Sequence, residues 1–394
     1  MNIKFSEPIS KALGELGFVE LTEVQKQAIP YIMQGEDLIT QSRTGTGKTA
    51  AFAIPILELI ESKPFVQAIV LTPTRELAIQ VGNDFKKIGK HTQARVLIAY
   101  GGVGIEPQIE KLRAGAQIVV GTPGRIMDLM SRRKLDLSKI TFFVLDEADV
   151  MLAMGFIRDI EMIIAATPQR KQVMMFCVDF PEEILSLAKK HMRYPQHVKL
   201  ISSEKSAQGV TQSFYMVQSG RKAGALLYLL KQIKPDRALI FCRTKRRVDE
   251  LTNILNYNGI KAMGIQGDLS QAQRTRTMEA FKDGSARILV ATDVASRGIH
   301  VEKISHVFNY ELPYDINYYI HRIGRTGRMH EVGEAISLCY SDEMGTLGQI
   351  ERLIGTTLQE KNLPANTPAP RFPARTEDRR RFPSRGGFRR GPRY

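Results

Sequence analysis

The sequence predicts an α/β protein: two tandem domains with mostly parallel sheets and helices on both faces, then a disordered basic tail. Three observations predict it. Short, continuous apolar runs alternate with longer amphipathic stretches; the alternation pauses at a polar link and begins again; and the last 24 residues have no apolar period. Continuous β-branched runs suit strands buried on both faces, as in a parallel sheet with crossover helices. At 394 residues the chain is long enough for two such cores.

In residues 37–200 the strand candidates are "DLIT", "AIVLTP", "RVLIAYGG", "QIVVGTPG", "FFVLDEAD" and "QVMMFCV". Stretches such as "ELAIQVGNDFKKIGKH" read as crossover helices. In such a domain, sites form at the C-terminal ends of the strands. The link "SSEKSAQG" spans residues 202–209. Beyond it the strand candidates are "SFYMVQ", "RALIFC", "KAMGIQG", "RILVATD", "HVFNYELP" and "EAISLCY". The second half repeats the rhythm of the first but has no phosphate loop. The expected division is residues 1–201, a linker at 202–209, residues 210–361, and a tail at 362–394, with a cleft between the halves.

The net charge of +15 favours a polyanionic partner, and nucleic acid is the first candidate. Much of the excess lies in "RFPARTEDRRRFPSRGGFRRGPRY", which holds nine arginines against one Glu and one Asp. Phe372, Phe382, Phe388 and Tyr394 are interleaved with those arginines. Arginine planes and aromatic rings stack on unpaired bases while the charge follows phosphates, so the tail is expected to bind RNA. No apolar run approaches the roughly 18–20 residues of a membrane span. The start, "MNIKFSEPIS", shows no apolar signal core, and three scattered cysteines suit a reducing cytosol. A cytoplasmic monomer is expected.

"LITQSRTGTGKT" runs from a strand into a glycine turn and then into the helix "AAFAIPILELI". Gly45 and Gly47 let backbone N–H groups point at phosphate oxygens, and the helix N-terminus adds its positive dipole end. Lys48 has the reach for β- and γ-phosphates, and the Thr49 hydroxyl suits Mg²⁺. Ser42 stands where the strict P-loop pattern has Gly; Thr44 and Thr46 complete the loop. A neighbouring strand supplies the carboxylates: in "FFVLDEAD", Asp146 is expected to hold Mg²⁺ through water and Glu147 to deprotonate the attacking water. In "YIHRIGRTGR", Arg325 and Arg328 are three apart and share a face if helical. They suit arginine fingers reaching across the cleft; the same spacing also suits a basic surface helix.

With these motifs in order, the chain resembles a DEAD-box ATP-dependent RNA helicase over about residues 1–360. "DEAD" stands at Asp146–Asp149. "PTRELA", with Pro73, Thr74 and Arg75, the pair Gly101–Gly102, and "TPGR", with Thr122, Pro123, Gly124 and Arg125, match the family's RNA-contacting elements. So do "IFCRT", with Arg243 and Thr244, and "QAQR", with Gln271 and Arg274. "ATDVASRGI", holding Thr292, Asp293 and Gly298, and "HRIGRTGR" match its ATP-and-RNA motifs. "GFVELTEVQKQAIP" resembles the adenine-recognising Q motif, with Phe18 and Gln25 in it and Phe5 upstream. A Gln amide is able to pair with N6 and N7 of adenine. The resemblance implies two RecA-like domains, the first carrying the Q motif, that close together on ATP, Mg²⁺ and single-stranded RNA. It implies local opening of short duplexes or remodelling of RNA–protein complexes.

Four departures from the family pattern stand out. Cys177-Val178-Asp179 replaces Ser-Ala-Thr, whose hydroxyls are implied to link hydrolysis to strand separation near Asp149. A thiol is a poor donor, and Asp179 adds negative charge that an ion pair with His321 would relieve. His300 replaces an Asp implied to contact ribose; Gln266 replaces a His; Leu21 replaces a Pro. The Cys-Val-Asp change leaves a second function open, an ATP-gated RNA clamp or chaperone with weak unwinding. A third, DNA unwinding by the same architecture, turns on use of the RNA 2′-OH.

Overall fold

A computed structural model describes residues 3–42, 45–178, 180–200, 209–296, 304–327, 333–364, 367 and 369–372. Seven parallel strands form a first sheet: β1 (Leu38–Gln41), β2 (Ala68–Leu71), β3 (Val96–Ala99), β4 (Ile118–Gly121), β5 (Phe142–Asp146), β6 (Gln172–Cys177) and β7 (Gln196–Lys199). Their spatial order is β3-β4-β2-β5-β6-β1-β7. Seven more form a second: β8 (Val210–Met216), β9 (Ala238–Cys242), β10 (Ala262–Ile265), β11 (Ile288–Thr292), β12 (His306–Asn309), β13 (Gly333–Cys339) and β14 (Gln359–Lys361), in the order β10-β11-β9-β12-β13-β8-β14. The two orders are the same pattern used twice. The fold is the two-sheet α/β architecture that the alternating apolar runs predict.

Alternation along each strand builds a core on both faces. In β5, Phe143 and Leu145 join one buried cluster while Phe142 and Val144 join the other. In the second half, Leu239 and Phe241 of β9 face one cluster, and Ala238, Ile240 and Cys242 the other. Both faces are covered by helices, which is why these runs carry almost no polar residues.

Two strands have no counterpart among the apolar runs, β7 and β14. Each is a polar outer strand, "QHVK" against β1 and "QEK" against β8. The other two outer strands, β3 and β10, do write apolar runs; β7 and β14 are made mostly of polar residues and leave no such trace.

The halves touch. Arg274, on the helix Gln271–Lys282, forms an ion pair with Glu76, on the helix Arg75–Ile88, at 2.9 Å. The chain's exit is tied down at Arg371: its N–H donates to Asn258 Oδ1 at 3.0 Å, and Asn258 Nδ2 donates to its carbonyl at 2.8 Å. Residues 202–208 of the expected linker, with Ile201 before them, and the tail beyond Phe372 lie outside the described residues. Among the described residues no helix is long and apolar enough to cross a membrane.

Candidate nucleotide and nucleic-acid site

β1 delivers Ser42, and two bonds to backbone carbonyls hold the loop that follows. Ser42 N–H donates to the Cys177 carbonyl at 3.0 Å, and Lys48 Nζ donates to the Ser42 carbonyl at 3.1 Å. Thr46 Oγ1 donates to Ser42 Oγ at 3.3 Å. The helix Lys48–Leu59 then begins behind Gly47, whose φ of 90° is left-handed. A Cβ at Gly47 would lie 2.5 Å from Gln25 Nε2, so only glycine fits. Thr44 lies outside the described residues.

Gly45, Gly47, Lys48, Thr49, Asp146, Glu147, Phe18 and Gln25 line one cavity of about 340 Å³. The helix Arg75–Ile88 contributes Asp84 and Lys87 to it. Asp146 ends β5 fully inside, and its Oδ1 has no hydrogen-bond partner. Burial raises the Asp146 carboxyl to about 7; Lys48 opposes the shift and Glu147 adds to it. Glu147 sits at φ 52°, ψ 52°, a left-handed conformation that for a non-glycine residue costs about 1–3 kcal/mol. Glu147 stands at the turn from β5 into the helix Ala148–Ala153.

These residues fit a Mg²⁺–nucleotide. An unpartnered buried carboxylate oxygen suits a cation or its water, and the buried Lys48 ammonium suits phosphate. Among the described residues there is no group of three or more His, Cys, Asp or Glu that could hold a metal alone. A Mg²⁺ ion held by Thr49 and Asp146 would take its remaining oxygen ligands from phosphate and water.

At the expected adenine end, Phe18 and Gln25 line the cavity. Gln25 is 1% exposed, and both ends of its amide are engaged: Oε1 accepts from Thr22 N–H at 2.9 Å and Nε2 donates to the Gly47 carbonyl at 3.1 Å. In this structure Gln25 braces the phosphate loop. Phe18 lines the cavity, whereas Phe5 packs against the apolar core of the first sheet.

The Cys177 site is closed to solvent. Cys177 is fully buried, and burial, then the charge of Asp149, push its thiol up. Asp149 is held by backbone: Oδ1 accepts from Val150 N–H at 3.0 Å and Oδ2 from Val178 N–H at 3.2 Å. The expected pairing of His321 with Asp179 falls outside the described residues, as do Gly298, His300 and Arg328.

On the first half the expected nucleic-acid residues cluster. Thr74 caps the helix Arg75–Ile88 by accepting from Leu77 N–H at 3.2 Å. The Arg75 guanidinium lies on Gly101 and Gly102; a Cβ at Gly102, itself at φ 81°, would lie 2.1 Å from Arg75 Nη1. Thr122 precedes the helix Pro123–Ser131, a Cβ at Gly124 would meet open space, and Pro73 precedes Thr74. Arg125 Nη2 donates to the Val103 carbonyl at 2.9 Å, and its buried Nη1 has no hydrogen-bond partner.

On the second half the structure rearranges the expectations. Arg274 pairs with Glu76 at the junction of the halves. Arg243 is engaged on three sides: Nε donates to the Leu312 carbonyl, Nη2 to Glu343 Oε1 at 2.9 Å, and the guanidinium stacks on Tyr314. Thr244 caps the helix Lys245–Tyr257 by accepting from Arg247 N–H at 3.2 Å. Thr292 ends β11, and the side chain of Gln271 lies outside the description. Gln266 is buried, its Oε1 accepting from Asp268 N–H at 2.6 Å.

Asp293 forms a bidentate pair with Arg322, at 2.5 and 2.7 Å. Arg322 lies inside "HRIGRTGR" and is Asp293's internal partner. It is 1% exposed, donates also to Asn309 and the Glu311 carbonyl, and sits over the Phe241 ring. Its signal is the apolar company of "YIHRI", the reverse of what a ligand-facing arginine needs. The shared helical face proposed for Arg325 and Arg328 is corrected: the helix stops at Ile323, before Gly324, and Arg325 lies buried in the turn beyond. Gly327, at φ 69°, curls that turn.

Residues 22–184 match the DEAD/DEAH box helicase family, and residues 221–330 match the helicase conserved C-terminal domain. The DEAD-box ATP-dependent RNA helicase CshA of Bacillus cereus (strain ATCC 10987) is 44% identical over 360 residues, covering 91% of this chain and 69% of that protein. CshA of Geobacillus kaustophilus is 46% identical over 348 residues, covering 88% and 74%. Among solved structures, S. cerevisiae Dbp5 bound to RNA and ADP BeF3 superposes with a TM-score of 0.82 at 29% identity, over 91% of this chain and 94% of that one. Mss116p bound to ssRNA and AMP-PNP superposes with a TM-score of 0.82 at 26% identity, over 91% and 78%. Those two structures and this chain share two tandem RecA-like domains.

Proposed function

Because this chain belongs to the DEAD-box ATP-dependent RNA helicase family, we propose that it couples RNA-stimulated ATP hydrolysis to local opening of short RNA duplexes, or to remodelling of RNA–protein complexes. The single observation that carries this is the cavity in which Lys48 and Thr49 share walls with Asp146 and Glu147. Phosphate grip and carboxylate chemistry meet there.

Bound Mg²⁺–ATP supplies a γ-phosphoryl group for transfer to water. Lys48 and the N–H groups of the loop at Gly45 to Thr49 would bind phosphate oxygens, and Thr49 and Asp146 would hold the cation. Glu147 orients the attacking water and accepts its proton. Arg325 and Arg328 offset transition-state charge from the second half. Arg75 and Arg125, beside the turns Gly101–Gly102 and Pro123–Gly124, grip the RNA backbone, so base sequence matters little.

The working stroke is closure of the residues 1–201 half on the 210–361 half across the 202–209 linker. A strand bent by that grip fits a duplex poorly, and base pairs are lost. At roughly 1.4 kcal/mol per stacked DNA step, one closure opens only a short duplex. Losing the γ-phosphate releases the grip. The 362–394 tail holds flanking RNA. The protein acts as a cytoplasmic monomer.

The test measures ATP turnover without polymer, with single-stranded RNA and with DNA, beside unwinding of short and long duplexes. Stimulation by RNA and a steep fall in unwinding with duplex length are expected. Equal unwinding of long and short duplexes, or no RNA stimulation, would overturn the proposal. RNA binding and ATPase activity with no unwinding of any duplex would replace it with the clamp.

A further inference from the structure

We propose that Tyr314 is a base-stacking platform on the second half, a contact for an unpaired RNA base. The proposal rests on the helicase reading above. Four large aromatic residues are exposed among the described residues: Tyr194, Tyr257, Tyr314 and Phe372. Three lie away from the ligand-binding ends of the strands. Tyr194 precedes β7, Tyr257 ends the helix that returns to the start of β10, and Phe372 follows the Arg371–Asn258 anchor at the end of that same helix. Tyr314 follows β12, at the rim where Arg243 leaves β9; β9 and β12 are paired neighbours. It is 80% exposed.

The ring is mounted. The Arg243 guanidinium carbon lies 4.7 Å from the Tyr314 ring centroid. Arg243 is not free to swing to a phosphate, because its Nε is on the Leu312 carbonyl and its Nη2 on Glu343 Oε1. Glu343 is itself pinned by Lys222 Nζ at 2.5 Å, and Lys222 is 2% exposed and lies over the Tyr340 ring. A chain of buried contacts therefore ends in a planar cation backing one exposed ring. Such backing limits the freedom the ring would lose on stacking, and every base offers a π-face, so the contact tolerates any sequence.

The surroundings favour a base over a protein. A contiguous exposed apolar patch would mark a protein dock. Here the flanking Leu312 and Pro313 are buried, and Asp315 is exposed and charged. One ring among polar groups suits a single stacked base.

The chain contains no Trp, so Y314W carries a lone indole. The experiment titrates Y314W with a uridine 12-mer and a non-hydrolysable ATP analogue, reading indole fluorescence, while anisotropy of labelled RNA reports binding separately. Quenching that tracks the binding curve is expected. Y314A should weaken RNA binding roughly tenfold, with Y314F near wild type, on the scale of one base–aromatic stack. RNA binding with unchanged indole emission, and full affinity in Y314A, would overturn the proposal and leave the ring to a protein partner. No RNA binding by the wild-type chain would sink the helicase reading itself, and the platform with it.

Discussion

Arg274 donates from Nε to Glu76 at 2.9 Å, and the two side chains are only 12% and 16% exposed. They sit on different halves of the molecule, and Glu76 is the residue after Arg75. An arginine expected on phosphate instead bridges the halves next to the arginine that lies on Gly101 and Gly102. Largely shielded from water, the two charges attract more strongly than an exposed pair, and removing one leaves the other uncompensated.

Arg274→Ala and Glu76→Gln should each lower RNA-stimulated ATP turnover while leaving the folding of each half intact. A double-mutant cycle on RNA affinity in the presence of a nucleotide analogue should show a coupling of about 0.5–3 kcal/mol. The reversal R274E/E76R should recover part of the loss. If Arg274 acts only on phosphate, reversal gives no recovery.

Gly102→Ala should weaken RNA binding at least tenfold. The new methyl would overlap Arg75 Nη1 and occupy a left-handed backbone position. Gly101→Ala is the control, since its Cβ would lie at an ordinary 3.5 Å from Arg75 Nη2. Filter binding of labelled RNA separates the two; equal losses in both variants would refute the Arg75 account.

The triple change Cys177→Ser, Val178→Ala, Asp179→Thr should raise duplex unwinding more than ATPase activity. Asp149 is now held by the N–H groups of Val150 and Val178, with the Cys177 thiol fully buried nearby. Adding hydroxyls gives that carboxylate stronger donors. Parallel ATPase and short-duplex assays check it, and an unchanged ratio of the two activities counts against the idea.

Glu343→Gln should destabilise the second half at neutral pH by about 3–5 kcal/mol, because Lys222 is left buried and unpaired. Burial pushes the Glu343 carboxyl up, but the Lys222 hydrogen bond, the Tyr340 N–H and the Arg243 charge outweigh it and hold the group below its ordinary value. A depressed carboxylate contributes stability above the unfolded value of about 4.3, and that contribution fades as pH falls through the lower folded value. Urea melts at pH 7.5 and at progressively acid pH should show the wild type converging on the variant. A constant gap across that range would be the contrary result.

Strands β1 to β6 and β8 to β13 were legible because each writes a run of buried apolar residues. The outer β7 and β14 were not, since a polar edge leaves no such trace. The phosphate loop and the Asp146–Glu147 pair were legible for a similar reason: glycines between strand and helix, and acids at the end of a buried strand, are local patterns. Arg243, Asp293 and Gln25 are expected on ligands by motif, and the internal contacts each of them makes with residues well along the chain are not legible in any one stretch. Gln25 reaches Gly47, Arg243 reaches Glu343, and Asp293 reaches Arg322.

By itself the sequence determined that two parallel-sheet halves exist, that one carries a nucleotide cradle, and that the chain is strongly basic. Periodicity, glycine placement and charge are properties of neighbouring residues, and they survive without a fold. Only the tertiary structure decided which arginines face outward and which are locked. A guanidinium takes its role from the carboxylates and carbonyls the fold brings within about 3 Å of it, and no stretch of chain states that distance.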